Sequence, residues 1–290
     1  MRNSHRKRRA GPRAHEAPVV YPSARRRRAG WLAGLCVTLL VAGIGAAPPA
    51  TAQSADQAPL VQSITGGAGY SEFTRGHGDA YHLFASYSVE RPLDWRWRFD
   101  VGTQSRFDEG SFDVGAAFTK YLWGETTLTL GAGTGTGDYI APKYRLDASL
   151  AQPIGIALLR LGYTREQSKD EKYRDGFAVG LERWFPHWIL SAHWRYDIGH
   201  PGDTISRALG FGLTYFTWET FSIGVSAEFG EVSYMQVGPS NFLVNYDSES
   251  YQLGISHWLT PDSGLNFRLD YAETDFYDVT GLELSFFKRW

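Results

Sequence analysis

Cysteine is nearly missing from this 290-residue chain: the one thiol, Cys36, sits in an apolar stretch near the N-terminus. A disulfide scaffold is therefore excluded, and so is a catalytic thiol in the chain that follows. Past residue 50 no apolar run approaches the roughly 20 residues that a helix needs to cross a bilayer, which excludes a bundle of transmembrane helices. Helical periodicity is nowhere sustained, and charged residues, at 21%, are too few for long disordered tails. What the chain does have is aromatic residues, 15% of the total, and 32 glycines, a mixture that points to strands and turns.

Charge is unevenly placed. Residues 1–30 hold ten of the 29 Lys and Arg, including Arg25 to Arg28, against one acid, Glu16. An apolar stretch from Trp31 to Ala47 follows, then Ala50-Thr51-Ala52, small residues at the spacing a signal peptidase cuts. This predicts an export leader over 1–52, cleaved near Ala52/Gln53, and one domain over 53–290. Taking the leader's ten bases and one acid from totals of 29 and 31 leaves 19 and 30, a net charge of −11. So acidic a chain is a poor partner for nucleic acid. Leu35 stands before Cys36 where lipidation needs a small residue, which argues against a lipid anchor.

From about Leu60 to Trp290 apolar residues alternate with polar or small ones at period two. Trp95, Trp97, Phe99 and Val101 alternate with Arg96, Arg98, Asp100 and Gly102; Leu209, Phe211, Leu213 and Tyr215 alternate with Ala208, Gly210, Gly212 and Thr214. The pattern predicts about fourteen strands, twelve being the alternative, each with one apolar face. A soluble sandwich would alternate in the same way, so the connections and the tryptophans must decide. Short turns, such as Arg91–Asp94, Pro153–Gly155 and Phe185–His187, alternate with longer polar connections, such as Glu166–Lys172, Gly199–Thr204 and Gly230–Tyr246. Eight of the nine tryptophans after the leader lie beside the short turns or at the C-terminus, Trp194 being the exception. The opposite strand ends carry Tyr70, Tyr81, Tyr144, Tyr163, Tyr173, Tyr196 and Tyr271. Two girdles of amphipathic rings, with short turns on one side and long loops on the other, predict an all-β transmembrane antiparallel barrel of the bacterial outer membrane, both termini in the periplasm. Leu284, Phe286 and the terminal Trp290 resemble the C-terminal signal read by the barrel assembly machinery, with Lys288 as a departure that can snorkel.

The segment Ser63-Ile-Thr-Gly-Gly-Ala-Gly-Tyr-Ser-Glu-Phe-Thr-Arg-Gly-His-Gly-Asp79, with Leu161-Gly-Tyr-Thr164 and Trp194-Arg-Tyr-Asp197, resembles the YaiO-type outer-membrane β-barrel family over essentially all of 60–290. The resemblance implies an outer-membrane barrel whose molecular activity is not established. Relatives that join this barrel to helical-repeat modules imply a link to exopolysaccharide handling; no such module is present in these 290 residues.

If the apolar parity meets lipid, the other parity faces the lumen. There an apolar-Arg-apolar-Asp arrangement occurs four times, bringing Arg98 with Asp100, Arg145 with Asp147, Arg195 with Asp197, and Arg268 with Asp270. Arg160, Glu182, Glu228, Glu283 and Arg289 share that parity. Unpaired charge in a narrow lumen is costly, so these groups are expected to pair across strands or stay hydrated. Two readings compete: a salt-bridge lattice that stiffens the wall, and a mixed-charge lining for a hydrated polar solute such as a sugar chain. The connection 230–246 reads either as an inward constriction or as a surface loop.

Catalysis is the rival class. Its candidates are His77 with Asp79, His82 with Ser86, and His193 with Asp197, but His and Asp four apart on a strand are about 13 Å apart, too far for a direct dyad. No nucleophile stands in a recognisable motif, and we expect no catalytic residue and no cofactor. His193, Asp197, His200 and Asp203 match no metal-ligand spacing, so no metal is expected there. Asp108, Glu109, Asp170 and Glu171 read as a solvated acidic rim, with divalent-cation uptake beside lipopolysaccharide as the alternative. The expected partners are outer-membrane lipid and lipopolysaccharide, the assembly machinery, and a saccharide.

Overall fold

The computed structural model describes residues 59–290 except 75–77, 107–108, 138–140, 170–171, 202, 218–219, 236–242 and 275–276. The predicted leader, His77, Asp108, Asp170 and Glu171 lie outside the described residues. Fourteen strands follow in chain order: β1 (Val61–Phe73), β2 (Asp79–Arg91), β3 (Trp95–Arg106), β4 (Glu109–Tyr121) and β5 (Thr127–Gly135). They continue with β6 (Tyr144–Ile154), β7 (Ala157–Gln167), β8 (Tyr173–Trp184), β9 (Trp188–His200) and β10 (Thr204–Thr217). The last are β11 (Phe221–Met235), β12 (Leu243–Thr260), β13 (Ser263–Thr274) and β14 (Asp278–Arg289). Each pairs antiparallel with its neighbours in sequence, and β1 pairs with β14, so the sheet closes into the predicted barrel. The closure reaches the last residue: Gln62 and Trp290 exchange backbone hydrogen bonds of 3.0 Å in both directions. A closed ladder leaves no strand edge unpaired, which hydrocarbon demands.

Burial is inverted relative to a water-soluble protein. Large apolar side chains stand exposed at alternate positions, Leu83 at 58% and Val225 at 54%, whereas buried positions hold small residues, Ala208 at 3% and Ser206 at 1%. In water such an apolar exterior would drive association; against lipid it is the favourable surface. A twelve-residue strand such as β3 is about 40 Å long, and a tilt of about 40° reduces its rise to about 30 Å, the thickness of the hydrocarbon layer. Fourteen strands about 4.8 Å apart at that tilt place the backbone on a circle about 28 Å across.

All seven tyrosines named above sit on the outward parity of their strands. The tryptophan girdle needs a correction. Trp184 and Trp258 fall on the inward parity, and Trp258 packs edge-on against inward Phe287 with ring centroids 5.5 Å apart. Both follow the alternation of their strands, with Val179 and Leu181 outward before Trp184 and the ladder unbroken from Ser248 to Trp258, slipping only between Trp258 and Thr260; nearness to a short turn does not give a ring its face. The connection 230–246 is also shorter than expected. Ladder pairing between β11 and β12 continues to Met235 opposite Leu243, so most of that stretch is a hairpin extension rather than a loop. Trp123–Glu125 forms a short 3-10 turn in place of the simple turn at Trp123–Gly124, and Gly155 takes φ +60° in the tight turn between β6 and β7, where a side chain would strain the backbone.

Candidate functional site

The lumen wall gathers the charged side chains. Arg98 and Asp100 on β3, Arg145 and Asp147 on β6, Arg195 and Asp197 on β9, and Arg268 and Asp270 on β13 all lie on the inward parity. The pairing differs from expectation. Each arginine takes the aspartate two residues along its own strand, with closest approaches of 2.9 Å for Arg98–Asp100, 2.8 Å for Arg145–Asp147, 3.1 Å for Arg195–Asp197 and 2.8 Å for Arg268–Asp270. Residues two apart on one face are about 7 Å apart, and a guanidinium on its three-carbon stem folds back over that distance with little reorganisation. Arg145 donates from both Nε and Nη2 to Asp147.

Small and polar residues flank these pairs. On one side the cross-strand neighbours of the four aspartates are Gly115, Gly131, Gly176 and Gly281, and on the other Ser86, Thr164, Ser206 and Gln252. At Gly176 the space is already taken, since a Cβ there would stand 2.6 Å from Asp197 Oδ1. In all four pairs the arginine meets an aspartate of its own strand, so the pair runs along that strand. They keep contact with water: the Arg98 side chain is 23% exposed and that of Arg195 16%.

Two of the pairs extend into longer chains of the same composition, which sequence reasoning missed. His82 on β2 places Nε2 3.0 Å from Glu283 on β14, and Arg268 Nη2 lies 3.1 Å from the same carboxylate. His193 on β9 places Nε2 2.7 Å from Glu228 on β11, and Arg195 Nη2 lies 3.1 Å from Glu228. The result is His82–Glu283–Arg268–Asp270 in one part of the wall and His193–Glu228–Arg195–Asp197 in another. Each His reaches its Glu across an intervening strand. Gly69 of β1 is the register neighbour of both His82 and Glu283, and Gly210 of β10 is that of both His193 and Glu228. Each imidazole lies against its glycine, and a Cβ there would run into the ring. The recognisable signal is an inward glycine, but it becomes informative only once the register of three strands is known. Arg160 with Glu182 at 2.7 Å and Arg174 with Glu166 at 2.8 Å add two further ion pairs on the inward face.

The remaining candidates do not assemble. His82 and Ser86 share the inward face, yet His82 is directed at Glu283. His193 and Asp197 face inward while His200 faces outward, where Nδ1 lies 2.8 Å from Asp203. The four residues therefore cannot converge, and among the described residues no three His, Cys, Asp or Glu side chains are placed to hold a metal. Outward on β7 to β9, Asp175 accepts a hydrogen bond of 2.7 Å from the Tyr163 hydroxyl, and Arg165 lies over the Tyr173 ring at 4.4 Å. That polar cluster stands at the tyrosine-rich end of the wall, where an interfacial girdle belongs.

A family model described as the YaiO membrane beta barrel domain matches residues 61–235. The chain belongs to that family. A YaiO-family barrel is a protein of the bacterial outer membrane, and the exposed apolar wall described above is its lipid-facing surface. Among solved structures, the chain resembles a TodX mutant described as a monoaromatic hydrocarbon channel at 9% identity and TM-score 0.52, over 80% of this chain and 90% of that one. It resembles the CymD monoaromatic hydrocarbon channel at 11% identity and TM-score 0.51, over 86% and 95%. It also matches an anion-selective porin from Comamonas acidovorans at 9% identity and TM-score 0.46, over 80% and 99%. At these identities the likeness concerns the fold alone. No curated protein matches the chain.

Proposed function

We propose that this YaiO-family barrel is a non-catalytic, water-filled conduit for hydrated polar solutes, saccharide chains among them, with both termini in the periplasm. The observation that carries the reading is the lining: four Arg-x-Asp pairs run along inward strand faces, and three of them, Arg98–Asp100, Arg145–Asp147 and Arg268–Asp270, keep both partners in contact with water. Guanidinium and carboxylate groups together offer donors and acceptors to hydroxyls without repelling solutes of either charge. The imidazoles support the non-catalytic part, since each turns Nε2 to a glutamate rather than to a hydroxyl. On the outer side, Leu284, Phe286 and Trp290 are exposed, which suits a C-terminal segment read by the assembly machinery, and the apolar wall with its tyrosine belt suits lipid and lipopolysaccharide.

The second reading, a closed barrel stiffened by its ion pairs, draws on the same pairs being satisfied within the wall. Single-channel recording from residues 53–290, refolded and inserted in a planar bilayer, separates the two. The conduit reading expects steady current that saccharide reduces, and an altered ion preference when Arg98 and Arg195 are replaced by Ala. A folded barrel, verified by heat-shifted gel mobility, that carries no current leaves the closed barrel standing. A double variant that conducts with unchanged preference counts against these pairs as the lining that solutes meet.

A further inference from the structure

The two His–Glu–Arg–Asp chains share composition and geometry, and the conduit reading makes no use of their histidines. We infer that His82 and His193 make the ion preference of the conduit depend on protons, so that the lumen favours anions more in acid than at neutral pH. This rests on the conduit reading.

Both histidines face the lumen, and both keep access to water: the His82 side chain is 25% exposed and that of His193 42%. Their glutamates are less accessible, so the proton-binding group is the one that meets solvent. Around His82 the charged groups are Glu283 on β14 with Arg268 and Asp270 on β13; its register neighbour on β3, Gln104, is neutral, as is the stacked Phe84. Around His193 they are Glu228 on β11, Arg195 and Asp197 on its own strand, and the Arg160–Glu182 pair reaching it across Gly180. Each chain thus holds one guanidinium and two carboxylates. With a neutral imidazole its net charge is −1, and with an imidazolium it is zero.

The geometry tolerates both states. A carboxylate only accepts hydrogen bonds, and Nε2–H donates in the neutral tautomer as well as in the imidazolium. Protonation therefore adds charge to the lumen without breaking the bridge or moving a strand, which separates a change of selectivity from a change of pore size. Histidine is the side chain that ordinarily changes charge between about pH 5 and 8.

The test is the reversal potential under a potassium chloride gradient, at about pH 8 and about pH 5.5, for the wild-type barrel in a planar bilayer. The expected result is a rise of roughly twofold in chloride-to-potassium permeability on acidification, with conductance little changed. In the double variant His82→Gln, His193→Gln, which keeps a donor for each glutamate but binds no proton, the shift should fall to less than about a quarter of the wild-type value. His193→Gln alone should roughly halve it, and serves if the double variant does not fold. A wild-type ratio that ignores pH, or variants that shift as far as the wild type, overturns the inference and leaves the conduit standing. A folded barrel silent at both pH values overturns the conduit reading and this inference with it.

Discussion

Arg98 and Arg195 make the same in-strand ion pair in different surroundings, and the surroundings set what each is worth. Arg98 and Asp100 are both reached by water, so their attraction is screened and Arg98→Ala should cost at most about 1 kcal/mol. Arg195 also holds Glu228, and its own partner Asp197 is buried beside Gly176. Arg195→Ala leaves a buried carboxylate without its guanidinium, and the expected cost is about 3 kcal/mol. Urea unfolding of the two variants in lipid vesicles checks the order; equal losses would show that burial does not govern the strength of these pairs. Parity already placed all four Arg-x-Asp pairs on the lumen side, because residues two apart share a face whatever the register. The partners of His82 and His193 were not readable in this way, since each is more than thirty residues away along the chain and reaches its glutamate across an intervening strand.

At the scale of the strand, β10 shows how a missing side chain positions one from its neighbour. Gly210 is flanked in register by His193 and Glu228, and the imidazole occupies the space a Cβ would need. Gly210→Ala should displace His193 from Glu228 and cost about 1–3 kcal/mol, the range for overfilling a packed site. Gly254→Ala on β12, where nothing lies within 4 Å of the added Cβ, should be close to neutral. Thermal melting of the two variants side by side checks the contrast, and equal shifts would show that the His–Gly–Glu arrangement carries no packing strain. Strand identity was legible because the apolar faces keep period two through each crossing. The ends were less so. The stretch at 230–246 hides a ladder that runs on to Met235 and Leu243, since where a hairpin stops pairing is set by the register of its two strands and not by the pattern within either one.

For the whole molecule, the question is which side of the wall meets water. Cys36 is the chain's only cysteine and precedes the barrel, so a new thiol in the barrel reports from one place. Gly254→Cys lies on the inward parity in open space opposite Arg268, and Val225→Cys lies outward in the apolar belt. In lipid vesicles a charged, membrane-impermeant thiol reagent should label the first within minutes and leave the second largely unreacted. The reverse order would turn the barrel inside out and remove the basis for a hydrated lumen.

Sequence alone was enough for a transmembrane barrel of about fourteen strands and for the parity of the residues on each strand. Those properties follow from period two, from turn spacing and from the sorting of aromatic rings, all local along the chain. The folded barrel alone reveals which charges meet and why His82 and His193 lie against glycines. Contacts between strands depend on register, and register is a property of neighbouring strands jointly: a slip of two residues would keep every apolar side chain toward lipid yet give every inward charge a new neighbour.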